Sequence, residues 1–157
     1  MIGTGSATAR KQVQRLLAAR GVVDVPLPLD ADDPVGKAAA AAAEALASAR
    51  CAVVHTTALQ LTGDDVRRRI PGTLAAVVGR LAGDGGVEGL VVSGGETAIN
   101  VARALGGRGL LIEEELEAGV PVSRLIGPRP CRIVSKAGEF GGETTLVAAV
   151  EALGGRL

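Results

Sequence analysis

The segment Ser93–Thr97 (SGGET) follows the apolar run Gly89–Val92, and the segment Lys136–Gly142 (KAGEFGG) follows the β-like run Arg132–Ser135. Each glycine-bearing segment therefore lies between a strand-like run and a stretch with helical spacing. Backbone N–H groups at such a turn can collect around an anion. Glycine suits this position because a side chain would block close approach to a phosphate, and because glycine adopts positive φ without steric cost. The two turns predict an α/β fold with an anion site.

Helical patterns recur along the chain. Asp33 and Pro34 suit an N-cap and a first helical position, whereas Pro71 is expected to break or restart its helix. A capping pattern opens the third helix. The predicted helices cover Ala7–Arg20, Pro34–Arg50, Thr62–Leu81, Thr97–Leu105 and the segment around Leu146–Leu153.

Short apolar runs alternate with these helices. The predicted strands cover Val22–Leu27, Cys51–His55, Gly89–Val92, Leu110–Ile112, Val122–Ile126 and Arg132–Ser135. The alternation predicts an α/β, three-layer domain, with a largely parallel or mixed sheet flanked by helices. No linker or repeat divides the chain, so residues 1–157 are expected to form a single domain.

A third glycine-bearing segment, Gly3–Ser6, opens the first helix. Ligands of such sheets bind at the carboxyl ends of the strands, so the three segments are expected to converge on one crevice. Only Met1 and Ile2 precede the first segment, where a strand is needed to hold the loop. The chain is therefore expected to be one domain of something longer, or to pair with another chain.

Composition narrows the class of protein. The 157 residues are 47% hydrophobic, and 17 basic residues balance 17 acidic ones, so no global field favours nucleic acid or an anionic membrane. No apolar run reaches the length of a membrane span. Cys51 and Cys131 fall in no paired motif and are interpreted as buried free thiols, which favours the cytoplasm.

Together the three segments resemble the C-terminal nucleotide-binding domain of the four-carbon acid sugar kinase family. Gly3–Gln12 (GTGSATARKQ) is similar to the family's Gly-Ser-x-Ser-x-x-Thr-x-x-Gln opening. Ser93–Ala98 (SGGETA) is similar to its Gly-Gly-Asp-Thr-Ala turn, and Lys136–Gly142 to its Lys-x-Gly-Asn-Phe-Gly-Gly loop. The resemblance implies ATP and Mg²⁺ as cofactors and phosphoryl transfer to an acid such as threonate, erythronate or 3-oxo-tetronate.

The resemblance also implies which residues bind the nucleotide and what else the kinase needs. A separate N-terminal domain, absent here, would supply much of the sugar-acid site, so this domain alone need not be active. A homo-oligomer is left open, the catalytic base is not identified, and no metal-ligand cluster is predicted. The expected nucleotide-site residues are Ser6, Gly94, Gly95, Glu96, Thr97, Lys136, Ala137, Gly138, Glu139, Phe140 and Gly141.

Several of these residues have a structural alternative. Ser6 can be a simple helix N-cap, Lys136 a solvated residue at a sheet edge, and Phe140 a core side chain as readily as an adenine contact. Glu139 replaces the family's asparagine and puts an anion beside the expected phosphate. Glu96 replaces an aspartate, and either carboxylate can hold Mg²⁺ or its water shell.

Two rival functions remain open at this point. Gly3-x-Gly5-x-x-Thr8, with Asp24 about twenty residues after Gly3, imitates a dinucleotide-binding fingerprint and would indicate an oxidoreductase module. The second alternative is a non-catalytic regulatory domain of the same fold, and Glu139, an anion beside the expected phosphate, is the residue that supports it. His55 has no partner carboxylate in the pattern and is interpreted as structural. The acidic run Glu113–Glu115 is interpreted as a solvated edge or a domain-contact surface.

Overall fold

The structure is a computed structural model that describes residues 1–57, 64–83 and 87–155. Helices and strands alternate through the first four helices, and three consecutive strands then precede the last helix. The helices are α1 (Ala7–Leu17), α2 (Pro34–Ser48), α3 (Asp64–Gly83), α4 (Gly95–Ala104) and α5 (Thr145–Ala152). The strands are β1 (Val22–Pro26), β2 (Cys51–His55), β3 (Gly89–Ser93), β4 (Gly109–Glu117), β5 (Val120–Ile126) and β6 (Arg132–Lys136).

The strands form a parallel pair and a mixed four-stranded sheet. β1 pairs with β2, and the order of the second sheet is β3-β6-β5-β4. β3 and β6 are parallel, whereas β5 runs antiparallel to both β6 and β4. The expected largely parallel or mixed sheet flanked by helices is confirmed.

The first residues of the chain join the two sheets. Ile2 forms parallel bridges to His55 at the end of β2 and to Ser93 at the end of β3. Its N–H donates to Val54 O at 2.9 Å, and its carbonyl accepts from Thr56 N at 3.2 Å. These residues therefore occupy the central position of the sheet, and they supply the entry geometry that the Gly3–Ser6 loop needs.

Helices cover both faces of the sheet. On one face α1 and α5 pack around Ile2, whose side chain is 2% exposed, together with Val53 of β2. On the other face α2 and α3 pack against β1 and β2, and α3 and α4 pack against β3, β5 and β6. Alternate residues of a strand face opposite layers, so Val53 and Val54 enter different cores. The three-layer arrangement is as the sequence predicts.

Several element boundaries differ from the predicted ones. Helix α3 continues through Pro71 without a break, because its buried side chains, including Ile70 and Leu74, pack along the sheet and offset the missing hydrogen bond. The predicted cap at Thr62 lies outside the described residues. Helix α4 begins at Gly95 rather than Thr97, so the glycine turn supplies the first turn of the helix. Strand β4 extends through the acidic run to Glu117.

A cavity of about 460 Å³ lies between β2 and β3, next to Met1 and near the amino ends of both strands. Residues near the amino ends of both strands line it, including Ala52 and Leu90. The three glycine-bearing segments lie at the opposite, carboxyl ends of the strands, so this cavity is distinct from the expected crevice. Among the described residues no helix combines the length and hydropathy needed to cross a membrane.

Candidate functional site

The three glycine-bearing loops meet at the carboxyl end of the sheet. The Ser6 hydroxyl donates to Gly138 O at 3.1 Å, which joins the first loop to the third. Gly94 N donates to Lys136 O at 2.9 Å, which joins the second loop to the third. Gly3 packs so closely on Thr97 that a Cβ there would lie 2.2 Å from the threonine hydroxyl. The predicted convergence of the loops is therefore present in the structure.

The Ser6 hydroxyl also accepts a hydrogen bond from Ala9 N at 3.0 Å and caps helix α1. One hydroxyl thus closes the helix start and holds the third loop. Both of these hydrogen bonds are made within the protein, so the structure gives Ser6 the capping role that the sequence left open.

The amino end of helix α4 is open. Its N-cap is Gly94, at φ +113°, which has no side chain to accept from the first N–H groups. A Cβ at Gly95 would meet no atom within 4 Å, so the first turn of α4 is open beside this residue. Unpartnered N–H groups and the helix dipole make this end attractive to an anion. Glu96 is exposed in the same turn, whereas Thr97 is buried.

Lys136 carries a buried positive charge where the loops meet. Its side chain is 3% exposed, and its ammonium donates to Ser93 Oγ at 3.2 Å and to Gly138 O at 3.3 Å. An ammonium has three donors, so one remains after these two bonds. Burial lowers the pKa of Lys136, and the negative charges of Glu139 and Glu117 oppose this shift. The solvated sheet-edge interpretation of Lys136 is wrong.

A single amide holds the third loop. Gln12 Nε2, on α1, donates to the carbonyls of Phe140 at 3.1 Å, Gly141 at 3.3 Å and Gly142 at 2.8 Å. Gly141 has φ +83°, a conformation that other residues rarely adopt, and a Cβ there would also overlap Thr145. Helix α1 therefore fixes the path of the loop from beneath.

The reason why position 138 requires a glycine differs from the predicted one. A side chain at Gly138 was expected to block a phosphate. In the structure, a Cβ on Gly138 would instead lie 2.7 Å from Thr4 Oγ1 and 2.9 Å from Thr4 Cγ2. The glycine is required because the first loop packs against the third. Of the loop glycines, Gly95 and Gly142 are the ones whose Cβ would face open space.

Phe140 is 49% exposed and belongs to none of the buried clusters of the described residues. Its ring lies against Gly119, at φ +77°, in the β4–β5 turn, where a Cβ would overlap the ring. The Glu115 carboxylate accepts from Gly119 N at 2.8 Å and holds that turn. The core alternative for Phe140 is therefore wrong, and a half-exposed aromatic ring remains beside the loops.

The structure divides the predicted site residues by accessibility. Thr97 and Lys136 are buried. The partly buried residues are Ser6, Gly94, Gly138 and Gly141, and the exposed ones are Gly95, Glu96, Ala137, Glu139 and Phe140. The residues that sequence reasoning left out are Thr4 and Gln12, although Gln12 matches the glutamine of the opening motif.

His55 has a partner that the sequence did not reveal. Its Nε2 lies 2.6 Å from Asp24 Oδ1, and its Nδ1 lies 2.7 Å from Thr57 Oγ1 and accepts from Thr57 N at 3.2 Å. The carboxylate and histidine lie on neighbouring strands but 31 positions apart in sequence, which is why no local pattern joined them. Asp24, the residue expected to bind a ribose in the dinucleotide reading, is therefore engaged by a histidine.

The family of nucleotide-binding C-terminal domains matches residues 1–146. The chain belongs to this family, and the resemblance drawn from the three loops is confirmed. A 3-oxo-tetronate kinase from Methylobacterium radiotolerans is 37% identical over 145 residues, covering 83% of this chain and 34% of the relative. A D-threonate kinase from Bordetella bronchiseptica is 38% identical over 95 residues, covering 59% of this chain and 22% of that kinase. The chain thus spans about a third or less of each relative.

Solved structures agree with the fold. A protein of unknown function from Bordetella bronchiseptica, crystallised with citrate as a domain-swapped dimer, superposes with a TM-score of 0.79 at 28% identity, covering 99% of this chain and 38% of that one. A Haemophilus influenzae protein superposes with a TM-score of 0.81 at 21% identity, covering 96% of this chain and 39% of that one. The second likeness concerns the fold alone.

Proposed function

We propose that this chain is the ATP-binding part of a kinase that transfers the γ-phosphoryl group of ATP to a hydroxyl of a four-carbon sugar acid. The observation that carries the proposal is the open amino end of α4, which lies beside the buried ammonium of Lys136. Family membership and relatives named 3-oxo-tetronate kinase and D-threonate kinase support the same reaction class.

The residues present fit the phosphate end of a nucleotide. The first amides of α4 supply donors, and Gly95 leaves the approach to them open. Lys136 supplies positive charge close to the Gly138 carbonyl, and phosphoryl transfer depends mainly on such positioning and charge neutralisation. Phe140 offers a half-exposed ring to a base or ribose. ATP supplies the phosphoryl group when it is bound.

Mg²⁺ would be held mainly by phosphate oxygens and water. The described residues contain no cluster of three or more histidine, cysteine or acidic side chains that could hold a metal ion. Magnesium sites of kinases typically use one or two carboxylates plus substrate phosphates. The exposed Glu96, in the first turn of α4, is the carboxylate we assign to this role.

The relatives are about three times as long, and we propose that a further domain binds the sugar acid, so this domain alone binds nucleotide without efficient turnover. Two unpaired cysteines, Cys51 and Cys131, favour a reducing cytoplasm.

The test is a calorimetric titration of the 157-residue chain with ADP, ATP and NAD, each with and without Mg²⁺. We expect saturable binding of ADP and ATP, dependent on Mg²⁺, and weaker binding of NAD. The engagement of Asp24 by His55 argues against a ribose contact there. Tighter binding of NAD would overturn the proposal in favour of the dinucleotide module, and no nucleotide binding would favour a regulatory domain.

The variant Glu139→Asn tests the electrostatics of the same site. We expect tighter ADP binding, because the exposed carboxylate opposes a nearby phosphate. Glu143→Gln is the matched control, since Glu143 is also an exposed carboxylate, 3.6 Å from the Lys11 ammonium. Weaker binding by Glu139→Asn would mean that Glu139 acts through a cation or through its charge on Lys136.

A further inference from the structure

Strand β4 leaves an apolar edge uncovered by the described residues. β4 is the last strand in the order β3-β6-β5-β4 and pairs only with β5. Its first half carries Leu110, Leu111 and Ile112, which are 37%, 54% and 66% exposed. An edge of this kind, with neither a charge nor a proline in its first residues, is a template for pairing with another strand.

The backbone direction along this edge follows from the neighbouring strand. Leu125 of β5 donates its N–H on the β6 side, so the residues flanking it bond to β4 through Gly109 and Leu111. Alternate residues of a strand direct their backbone groups to opposite sides. The N–H and C=O groups of Leu110 and Ile112 therefore point out of the sheet.

We infer that β4 pairs antiparallel with β4 of a second copy of this chain, about a twofold axis at Leu111. In this register each Leu110 lies opposite Ile112 of the other copy, and each Leu111 lies opposite its own counterpart. Leu110 and Ile112 are the residues whose backbone groups point outward, so each opposite pair can exchange two hydrogen bonds. The two four-stranded sheets then become one continuous sheet.

Charge selects this register over its neighbours. A twofold axis at Leu111 brings Arg108, exposed directly before β4, close to Glu114 of the other copy, just beyond the regularly paired residues 109–112. Shifting the register by two residues in one direction puts Arg108 against Ile112, and the opposite shift puts Leu110 against Glu114. Arg108 has no ion-pair partner among the described residues, and Glu114, whose side chain is 55% exposed, already contacts Arg132 at 3.2 Å, so Arg108 would add a second cation to that carboxylate.

The irregularity of the strand limits the extent of the contact. The β4–β5 register shifts between Ile112 and Glu114 and again between Glu115 and Glu117. Bulges of this kind twist an edge away from a partner, so the regular pairing is confined to residues 109–112. So short a contact belongs to the small, concentration-dependent class of interfaces.

The test combines the oligomeric state with a disulfide trap. Sedimentation velocity of the 157-residue chain over a concentration series should give a monomer–dimer equilibrium. The variant Leu111→Cys should form intermolecular disulfides under mild oxidation, because opposite residues of a non-hydrogen-bonded pair lie about 4.5 Å apart, within the Cα range of a disulfide. Ile126→Cys is the matched control, since Ile126 is also apolar and 47% exposed but lies off the axis.

A second pair of variants keeps the inference testable if a cysteine disturbs folding. Ile112→Lys and Arg108→Glu should each reduce dimer formation, whereas Arg103→Glu, on α4, should leave it unchanged, with circular dichroism confirming the fold of each. A monomer at every concentration would overturn the inference. Equal cross-linking through Leu111→Cys and Ile126→Cys, or a dimer that survives Ile112→Lys, would overturn it as well and would assign the dimer to another surface.

Discussion

At the scale of the residue, the glycines of the second and third loops are present for different structural reasons. Gly138 and Gly141 lack a side chain because neighbouring protein atoms fill the space, those of Thr4 in one case and of Thr145 in the other. Gly95 lacks one although the space beside it is open. Gly95 is therefore the loop glycine at which a change in nucleotide binding can be separated from a change in folding.

We expect Gly95→Ala to reduce ADP affinity about tenfold or more, a change of about 1.4 kcal/mol, with unchanged thermal stability. The added methyl meets no protein atom within 4 Å, and it lies in the first turn of α4, whose amides we propose to bind the phosphate. Gly72→Ala is the control, because a Cβ there also meets nothing within 4 Å but lies in α3. Calorimetry gives the affinity and a thermal melt the stability. Equal ADP affinity of the two variants would mean that the α4 amides do not bind the phosphate.

The buried ammonium of Lys136 predicts a pH dependence of stability. Burial lowers the pKa of Lys136 below the ordinary value of 10.5 in the folded state. Between the lowered value and 10.5 the unfolded chain binds more protons than the folded chain, so the free energy of unfolding rises with pH. Relative to Lys136→Met, the wild type should therefore gain stability as pH rises towards 10.5. Urea unfolding at several pH values measures the difference in free energy of unfolding between wild type and variant. This difference would stay constant if the pKa of Lys136 were not lowered in the folded state.

At the scale of the element, helix α1 supports a loop far from it in sequence. Gln12 reaches three successive carbonyls with one nitrogen, and its own Oε1 has no partner among the described residues. The first helix thus positions the third loop.

We expect Gln12→Leu to lower the free energy of unfolding by about 1–3 kcal/mol, because three partly buried carbonyls of the third loop lose their donor. ADP affinity should fall with it, since the loop is no longer held. Gln14→Leu is the control, because Gln14 is exposed on the same helix. Chemical denaturation measures the stability, and a loss no larger than that of the control would contradict the role assigned to the amide.

The sequence identifies strands and loops more reliably than the contacts between them. The run Cys51–His55 is predicted to the residue, because four consecutive apolar positions before the histidine carry no competing signal. The predicted break at Pro71 is wrong, because local helix propensity does not reflect how much of α3 packs on the sheet. Within the site, the loops and their convergence follow from strand-to-helix turns, whereas the His55–Asp24 pair and the Thr4–Gly138 contact depend on tertiary neighbours that one sequence does not encode locally.

At the scale of the whole molecule, Ile2 connects two parts of the sheet that share no direct strand pairing in the described residues. We expect Ile2→Ala to destabilise the protein by about 2–5 kcal/mol, the range for truncating a well-packed side chain. Ile99→Ala, at a position 54% exposed, should change stability by less than about 0.5 kcal/mol. Thermal and urea unfolding compare the two, and similar losses would mean that Ile2 is not a central packing residue.

The 132 positions between Ser6 and Gly138 have a consequence for biosynthesis. The opening segment, residues 1–6, must wait for β2, β3 and β6 before it acquires neighbours on either side. Such distant pairings slow folding because a long chain closure precedes any gain. Growing chains that have not yet emerged past Gly142 would leave the glutamine of α1 without its three carbonyls, so the anion cradle assembles only after the third loop has been made.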